Sequence, residues 1–430
     1  MMTLPFDRFP KVFRLRQRFP RPRVCDVAAE VHRQMERLPL CARVSAGQTV
    51  AITAGSRGIA NIAIILREIA AYLRRLGAEP FLVPAMGSHG GATAAGQTAV
   101  LESLGITPSS CECPIRSSLE TVTIEEPGVG VPIHFDREAF QADHVLVCGR
   151  VKPHTWFAGP IESGLLKMLL IGLGKCEGAR VYHRAIDDCG FGEIAARVAP
   201  VILRRCRIAG GIAILENAYD ETAMIEAVSS KEFLTREPAL LQRARAWMAQ
   251  LPFDEIDVLL IDRFGKNISG VGFDANVVGR KFNEHRAVEG ERPRVKRICL
   301  RSLTPESGGN AVGIGMAEFC RSDVLRAMDQ RVTRVNAMTS GHIAVCMIPP
   351  DFETDREMLS AALSTIGLRS AERAGLVWIA DTLHLDELEC SEHFLSEAVR
   401  RDDLEVLCRP RPLPFGPDGN LPLVSQWKNA

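Results

Sequence analysis

Excess charge of either sign is the first thing this sequence lacks. Lys and Arg together number 52, as do Asp and Glu. No whole-chain field therefore exists to recruit nucleic acid or an anionic membrane, and a small ligand is the expected partner. No apolar run approaches the roughly 18 residues that a membrane span needs. The opening Met1-Met2-Thr3-Leu4-Pro5-Phe6-Asp7-Arg8 has no apolar stretch of the signal-peptide kind, so a cytoplasmic location is expected. The 13 cysteines stand mostly alone, and the one close pair, Cys111 and Cys113, is a C-x-C without a second half. Neither a disulfide framework nor a zinc knuckle is predicted. Internal repeats, low-complexity stretches and a Walker G-K-[ST] ending are missing too. Gly172-Leu173-Gly174-Lys175-Cys176-Glu177-Gly178 imitates a dinucleotide fingerprint. Its spacing is G-x-G-x-x-x-G, and no acidic ribose partner follows in a later strand, so conventional NAD or ATP binding is not expected.

What is present reads as an α/β protein. A chain of 430 residues exceeds one ordinary core, which predicts two α/β domains with largely parallel sheets and a site in the cleft between them. Thr49 to Thr53 reads as a strand, followed through Gly55-Ser56-Arg57-Gly58 by helical periodicity from Ile59 to Leu76. Pro80 to Ala85 is a second strand, ending in Met86-Gly87-Ser88-His89-Gly90-Gly91 with Thr93 as the N-cap of the next helix. Asp143 to Cys148 is a third, and Lys152 and His154 fall in the loop that leaves it. The pattern breaks near Leu251-Pro252-Phe253-Asp254, which places a first domain at residues 1–253 and a smaller second one at 254–408. In the second domain Val258–Asp262, Arg297–Leu300, Ile343–Met347 and Val377–Ala380 read as strands. The proline-rich segment after Cys408 predicts an extended tail, 409–430, that crosses back onto the first domain.

Ligands of open α/β sheets sit at the carboxyl ends of the strands, and three such ends carry Arg57, His89 and His154 beside glycine or proline. Histidine, with an unperturbed pKa of about 6.5, can take and give a proton near neutrality. His89 reads either as such a group or as a loop histidine that satisfies backbone. His154 is the better candidate, because Lys152 shares its face in an extended segment stiffened by Pro153. Arg57 offers a planar fork to a carboxylate or phosphate, or is a surface arginine after a turn. Lys167 is the only charge in Ser163-Gly164-Leu165-Leu166-Lys167-Met168-Leu169-Leu170. It either snorkels to the surface or is held where its amine can be neutral and nucleophilic. On pattern alone His183 reads as a helix-surface histidine.

Three stretches resemble the nickel-dependent lactate racemase family and its relatives. They are Met86 to Thr93, Val151-Lys152-Pro153-His154 through Gly159-Pro160-Ile161-Glu162-Ser163-Gly164 to Lys167, and Gly265-Lys266-Asn267-Ile268-Ser269-Gly270. The resemblance extends over most of the chain. It implies a nickel-pincer nucleotide, a pyridinium mononucleotide that holds nickel through sulfur, carbon and sulfur, and the partners that build it. It makes Lys167 the covalent attachment point and His183 the fourth nickel ligand; imidazole with sulfur donors in a tetragonal set suits Ni(II). It also implies that His89 and His154 are the catalytic histidines and that Arg57 grips the substrate. The implied activity is racemisation or epimerisation of 2-hydroxy carboxylic acids by removal and return of hydride. An oxidoreductase using the same site and a non-enzymatic nickel or nucleotide carrier are the alternatives. Two positions depart from the family pattern. Ala54 stands where the lactate enzymes have an aspartate, and Val278-Gly279-Arg280-Lys281 keeps only the lysine of their Gln-x-x-Lys pair. Lys281, with Arg280, is therefore expected to meet a different or larger hydroxy acid, and Lys152 to add charge near its carboxylate or the nucleotide phosphate.

Overall fold

The computed structural model describes residues 8–281 and 290–427. The chain divides into two compact units, Pro20–Met248 on one hand and Met1–Phe19 with Ala249–Ala430 on the other. The first strand, β1 (Val12–Gln17), thus belongs with the C-terminal residues, not with the N-terminal domain expected at 1–253.

In Pro20–Met248 the strands are β2 (Thr49–Ala54), β3 (Glu79–Pro84), β4 (Thr121–Ile124), β5 (Ile133–Asp136), β6 (His144–Arg150), β7 (Ile208–Glu216) and β8 (Thr222–Val228). Among the described residues five of these form a sheet in the order β3-β2-β6-β7-β8, parallel except for the last pair, while β4 and β5 pair apart. The longer helices are α1 (Val27–Glu36), α2 (Ile62–Arg75), α3 (Ala94–Ser103), α4 (Lys175–Cys189), α5 (Phe191–Arg205) and α6 (Phe233–Trp247). Strand side chains alternate in direction, so Ala51, Phe81, Val145 and Val147 join one core with α5 and α6. Val50, Ile52, Leu82 and Leu146 join another with α1 and α2. Helices on both faces explain why the strands read as continuous apolar runs. Thr93 caps α3 as expected, its side chain accepting from the Gly96 N–H at 3.0 Å. The second helix starts at Ile62 because Asn61 ahead of it takes a left-handed backbone with φ of 62°.

The other unit contains β9 (Glu255–Phe264), β10 (Arg294–Leu303), β11 (Phe319–Arg321), β12 (Asp351–Phe352), β13 (Leu376–Ile379), β14 (Glu387–Ser391) and β15 (Leu404–Val406). Among the described residues they and β1 form one sheet in the order β12-β11-β10-β9-β13-β14-β1-β15, with the last three strands antiparallel to their neighbours. The reason β1 belongs here is burial: Val12, Phe13 and Leu15 are fully buried, and Leu15 faces Leu388 on one side and Val406 on the other. The described part of the tail, 409–427, lies on its own unit. Arg411 and Val12 exchange backbone hydrogen bonds at 2.8 Å, and Trp427 stacks on Trp378 with centroids 5.7 Å apart. Ile343–Met347 is not a strand. Ile343–Cys346 forms a 3-10 turn in which Val345 alone is buried, and Gly315 admits its backbone so closely that a Cβ there would lie 2.0 Å from the Ala344 oxygen. No helix among the described residues is long and apolar enough to cross a membrane.

Candidate active site

Strands β3, β2 and β6 are neighbours and parallel, so the loops that follow them leave from one edge of the sheet. Those loops carry His89, Arg57, and Lys152 with His154. Across the same strand ends runs the segment with Lys167, one α-turn at Leu165–Lys167 followed by a π-type turn at Met168–Gly172. Gly149 at the end of β6 makes room for it, since a Cβ there would lie 2.8 Å from Met168 Cγ. The Gly87 N–H donates to the Gly172 oxygen at 3.2 Å and ties the segment to the His89 loop. From α6, the buried Glu237 carboxylate accepts the Leu166 N–H at 2.9 Å. Gly164 is required beside it: a Cβ would stand 2.6 Å from the Glu237 carboxyl carbon. Burial pushes the Glu237 carboxyl up to about 7, against the opposing pull of the Leu166 and Leu165 N–H groups.

The Lys167 amine is pulled down to about 7, first by burial and then by the guanidiniums of Arg57 and Arg150. The residue keeps part of its surface, while its amine is enclosed closely enough for burial to rank first. Arg57 is exposed to water and yet crowded by protein, and burial and then Arg150 lower its pKa. A guanidinium is not deprotonated in proteins, so Arg57 remains a cation. Among the described residues no carboxylate acts on Arg57. Arg150 itself pairs with Glu216, the last residue of β7.

Phe157 assembles the other groups. Its ring stacks on His154 with centroids 3.9 Å apart and on Phe191 at 4.8 Å, has the Lys167 amine 5.7 Å from its centroid, and stands 6.0 Å from the His183 ring. Three predicted residues, two of them far apart in sequence from His154, thus share one aromatic neighbour. His89 is joined to the Arg57 loop through Ser56, whose hydroxyl lies 2.5 Å from His89 Nδ1. The His154 backbone N–H donates to buried Glu162 at 2.8 Å, and Arg245 pairs with the same carboxylate. His154 Nδ1 accepts the N–H groups of Trp156 and Phe157, both at 3.1 Å.

The false dinucleotide fingerprint is packing. Lys175 is fully buried, lies 2.9 Å from Asp136, and donates to the Pro84 oxygen and Gln97 Oε1. Gln97 in turn donates to the Gly87 oxygen at 2.8 Å, steadying the His89 loop. A Cβ at Gly174 would lie 2.2 Å from the Leu170 oxygen. Lys152 is half-buried and its N–H donates to the Ser163 oxygen at 3.0 Å. Lys281 belongs to the other unit, where it is buried and its N–H donates to Glu291 at 2.9 Å. Arg280 does not fit the expectation of a substrate contact. It is fully buried, paired with Glu318 at 3.0 Å and bonded to the Val295 oxygen at 2.7 Å, which makes it part of its own unit's core. Sequence reading missed Phe157, Ser56, Arg150 and Glu237. Ser56, Arg150 and Phe157 lie one, two and three residues from a candidate; Glu237 carries no local signal.

No protein-family model and no curated protein matches the sequence. Among solved structures the chain is similar to a protein of Thermotoga maritima, at a TM-score of 0.49 and 13% identity over 74% of this chain and 81% of that one. It is similar also to the lactate racemase apoprotein from Thermoanaerobacterium thermosaccharolyticum, at a TM-score of 0.47 and 13% identity over 91% of each.

Proposed function

We propose that the chain is a racemase or epimerase of 2-hydroxy carboxylic acids that works with a nickel-pincer nucleotide tethered to Lys167. The observation that carries the reading is Lys167 itself, an amine lowered to about 7, on the same Phe157 ring as His154 and His183 and within the field of Arg57. A lysine that is half neutral near pH 7 is a competent nucleophile for covalent attachment. The residues in place fit the group: Lys167 would hold it through the amine, and His183 would offer one imidazole nitrogen to nickel. When bound, it supplies a reversible hydride acceptor, the part of the chemistry that no side chain can perform.

The chain's own residues do the rest. The α-hydrogen of a 2-hydroxy carboxylate is too weakly acidic for a histidine to remove, so the protein handles only the hydroxyl proton. Arg57, a cation without a carboxylate partner among the described residues, binds the substrate carboxylate. His89 accepts the hydroxyl proton at Nε2 while Ser56 holds Nδ1. His154 stands at the ring that Lys167 overhangs and serves the same oxygen. Lys152 is proposed as a further contact for the substrate or the nucleotide phosphate.

Two measurements test the reading. The Lys167 peptide from protein produced with the cofactor-building enzymes should carry the mass of the nucleotide adduct. That protein should convert one enantiomer of a 2-hydroxy acid into the other without accumulating keto acid. A stoichiometric or acceptor-dependent yield of keto acid would identify an oxidoreductase instead. An unmodified Lys167 in protein that still interconverts enantiomers would end the proposal.

A further inference from the structure

The two candidate histidines are held in different ways, and the difference has a chemical consequence. His154 Nδ1 receives two backbone N–H groups, from Trp156 and Phe157, each at 3.1 Å. A ring nitrogen that accepts two donors cannot bear a proton, so the proton of neutral His154 resides on Nε2. The ring has little freedom to change this. It lies face to face with Phe157 at 3.9 Å and an interplanar angle of 17°, and Phe157 is stacked in turn on fully buried Phe191 at 4.8 Å. The backbone of His154 is anchored as well, by the bond of its N–H to Glu162, a carboxylate that is itself fully buried and paired with Arg245. Arg245 also donates to the Gly159 oxygen at 3.1 Å, closing the loop on its far side. A second proton, on Nδ1, would turn both N–H bonds into repulsive contacts.

His89 is held by a different kind of contact. The Nδ1 partner given by the geometry is the Ser56 hydroxyl, which can donate or accept. Imidazole can therefore pass through imidazolium at His89 without losing that contact.

We propose that His154 is held as the Nε2–H tautomer and serves the site as a hydrogen-bond donor to the substrate oxygen, leaving His89 as the group that accepts and returns the proton. The catalytic half of this inference rests on the function proposed above. The pair of histidines is then not interchangeable. One is a neutral polarising donor, the other the acid and base, as in sites where a neutral imidazole stabilises charge on a carbonyl oxygen.

Nitrogen-15 NMR of the full-length apoprotein labelled at histidine tests the tautomer, with His154→Gln supplying the assignment. The expected spectrum shows His154 Nδ1 in the range of an unprotonated ring nitrogen and Nε2 in that of a protonated one at neutral pH. A proton on Nδ1, or averaging of the two tautomers, overturns the inference. In the cofactor-loaded protein, His154→Gln keeps an amide donor near the place of Nε2 and should lower turnover by about tenfold, whereas His154→Phe should lower it by about 100-fold. His89→Gln removes the base and should cost about 1,000-fold or more. Equal losses for His89→Gln and His154→Gln would also overturn it. The spectrum reads the tautomer whatever the chain catalyses. Failure here is therefore distinct from failure of the function proposed above, which would show as a wild-type loaded protein that leaves a pure enantiomer unchanged.

Discussion

Lys167 is opposed by burial and by two guanidiniums, so its protonated form is what the fold tolerates least. Its folded value of about 7 lies below the unfolded one of roughly 10.4. The penalty is complete below pH 7 and fades as the pH rises toward the unfolded value. Lys167→Met should therefore raise the apoprotein's Tm by about 2–8 °C at pH 6 and by much less at pH 10. A thermal scan at both values checks this, and a pH-independent gain would contradict the assignment. Ser56 is the companion case. With its hydroxyl 2.5 Å from His89 Nδ1, and on the function proposed above, Ser56→Ala should lower turnover of the cofactor-loaded protein about tenfold while Ser56→Thr retains most of it. Arg57, His89, His154 and Lys167 were legible because loop polar residues beside glycine or proline, and a lone charge among apolar residues, stand out locally. Phe157 was not, because an aromatic in a loop looks the same whether it packs on a core or gathers three candidate groups.

At the scale of elements, the segment from Leu165 to Gly172 depends on a carboxylate brought from α6. Burial raises the Glu237 value to about 7, so its stabilising contribution is present below the unfolded value of about 4.3 and lost as the pH rises through 7. Glu237→Gln keeps an acceptor for the Leu166 N–H and removes the charge. The variant should match wild type in denaturant unfolding at pH 4.5 and exceed it by about 1–3 kcal/mol at pH 8. An advantage that shrinks with rising pH would refute this. Gly164→Ala should act oppositely at all pH values, because its methyl would meet the Glu237 carboxyl carbon at 2.6 Å. The strands were read well where apolar runs end in glycine or proline, as at β2, β3 and β6. Ile343–Met347 was misread because an apolar run shorter than a helix has no periodicity of its own to decide its conformation.

For the molecule as a whole, the consequential feature is that residues 12–17 complete the sheet of the C-terminal unit, between β14 and β15. Phe13 is fully buried there, so Phe13→Ala should destabilise that unit by about 3–5 kcal/mol. Trp378 and Trp427 report on that unit, while Trp156 and Trp247 lie in the other. With single-tryptophan variants, the first pair should show an earlier urea transition and the second an unchanged one. A joint shift of both pairs would mean that the units unfold together.

What the sequence determined by itself was local: an α/β architecture, the strand ends, the loops after them and the polar residues those loops expose. Backbone propensity and apolar periodicity act over a few residues and are written in order along the chain. The tertiary structure alone decided which strand ends adjoin, that β1 and the tail belong to the C-terminal unit, and that Arg280 is core. It decided also that Glu237, Arg150 and Phe157 surround the groups that the loops deliver. Those outcomes depend on burial and on charges brought together from distant positions, and neither quantity exists until the chain has folded.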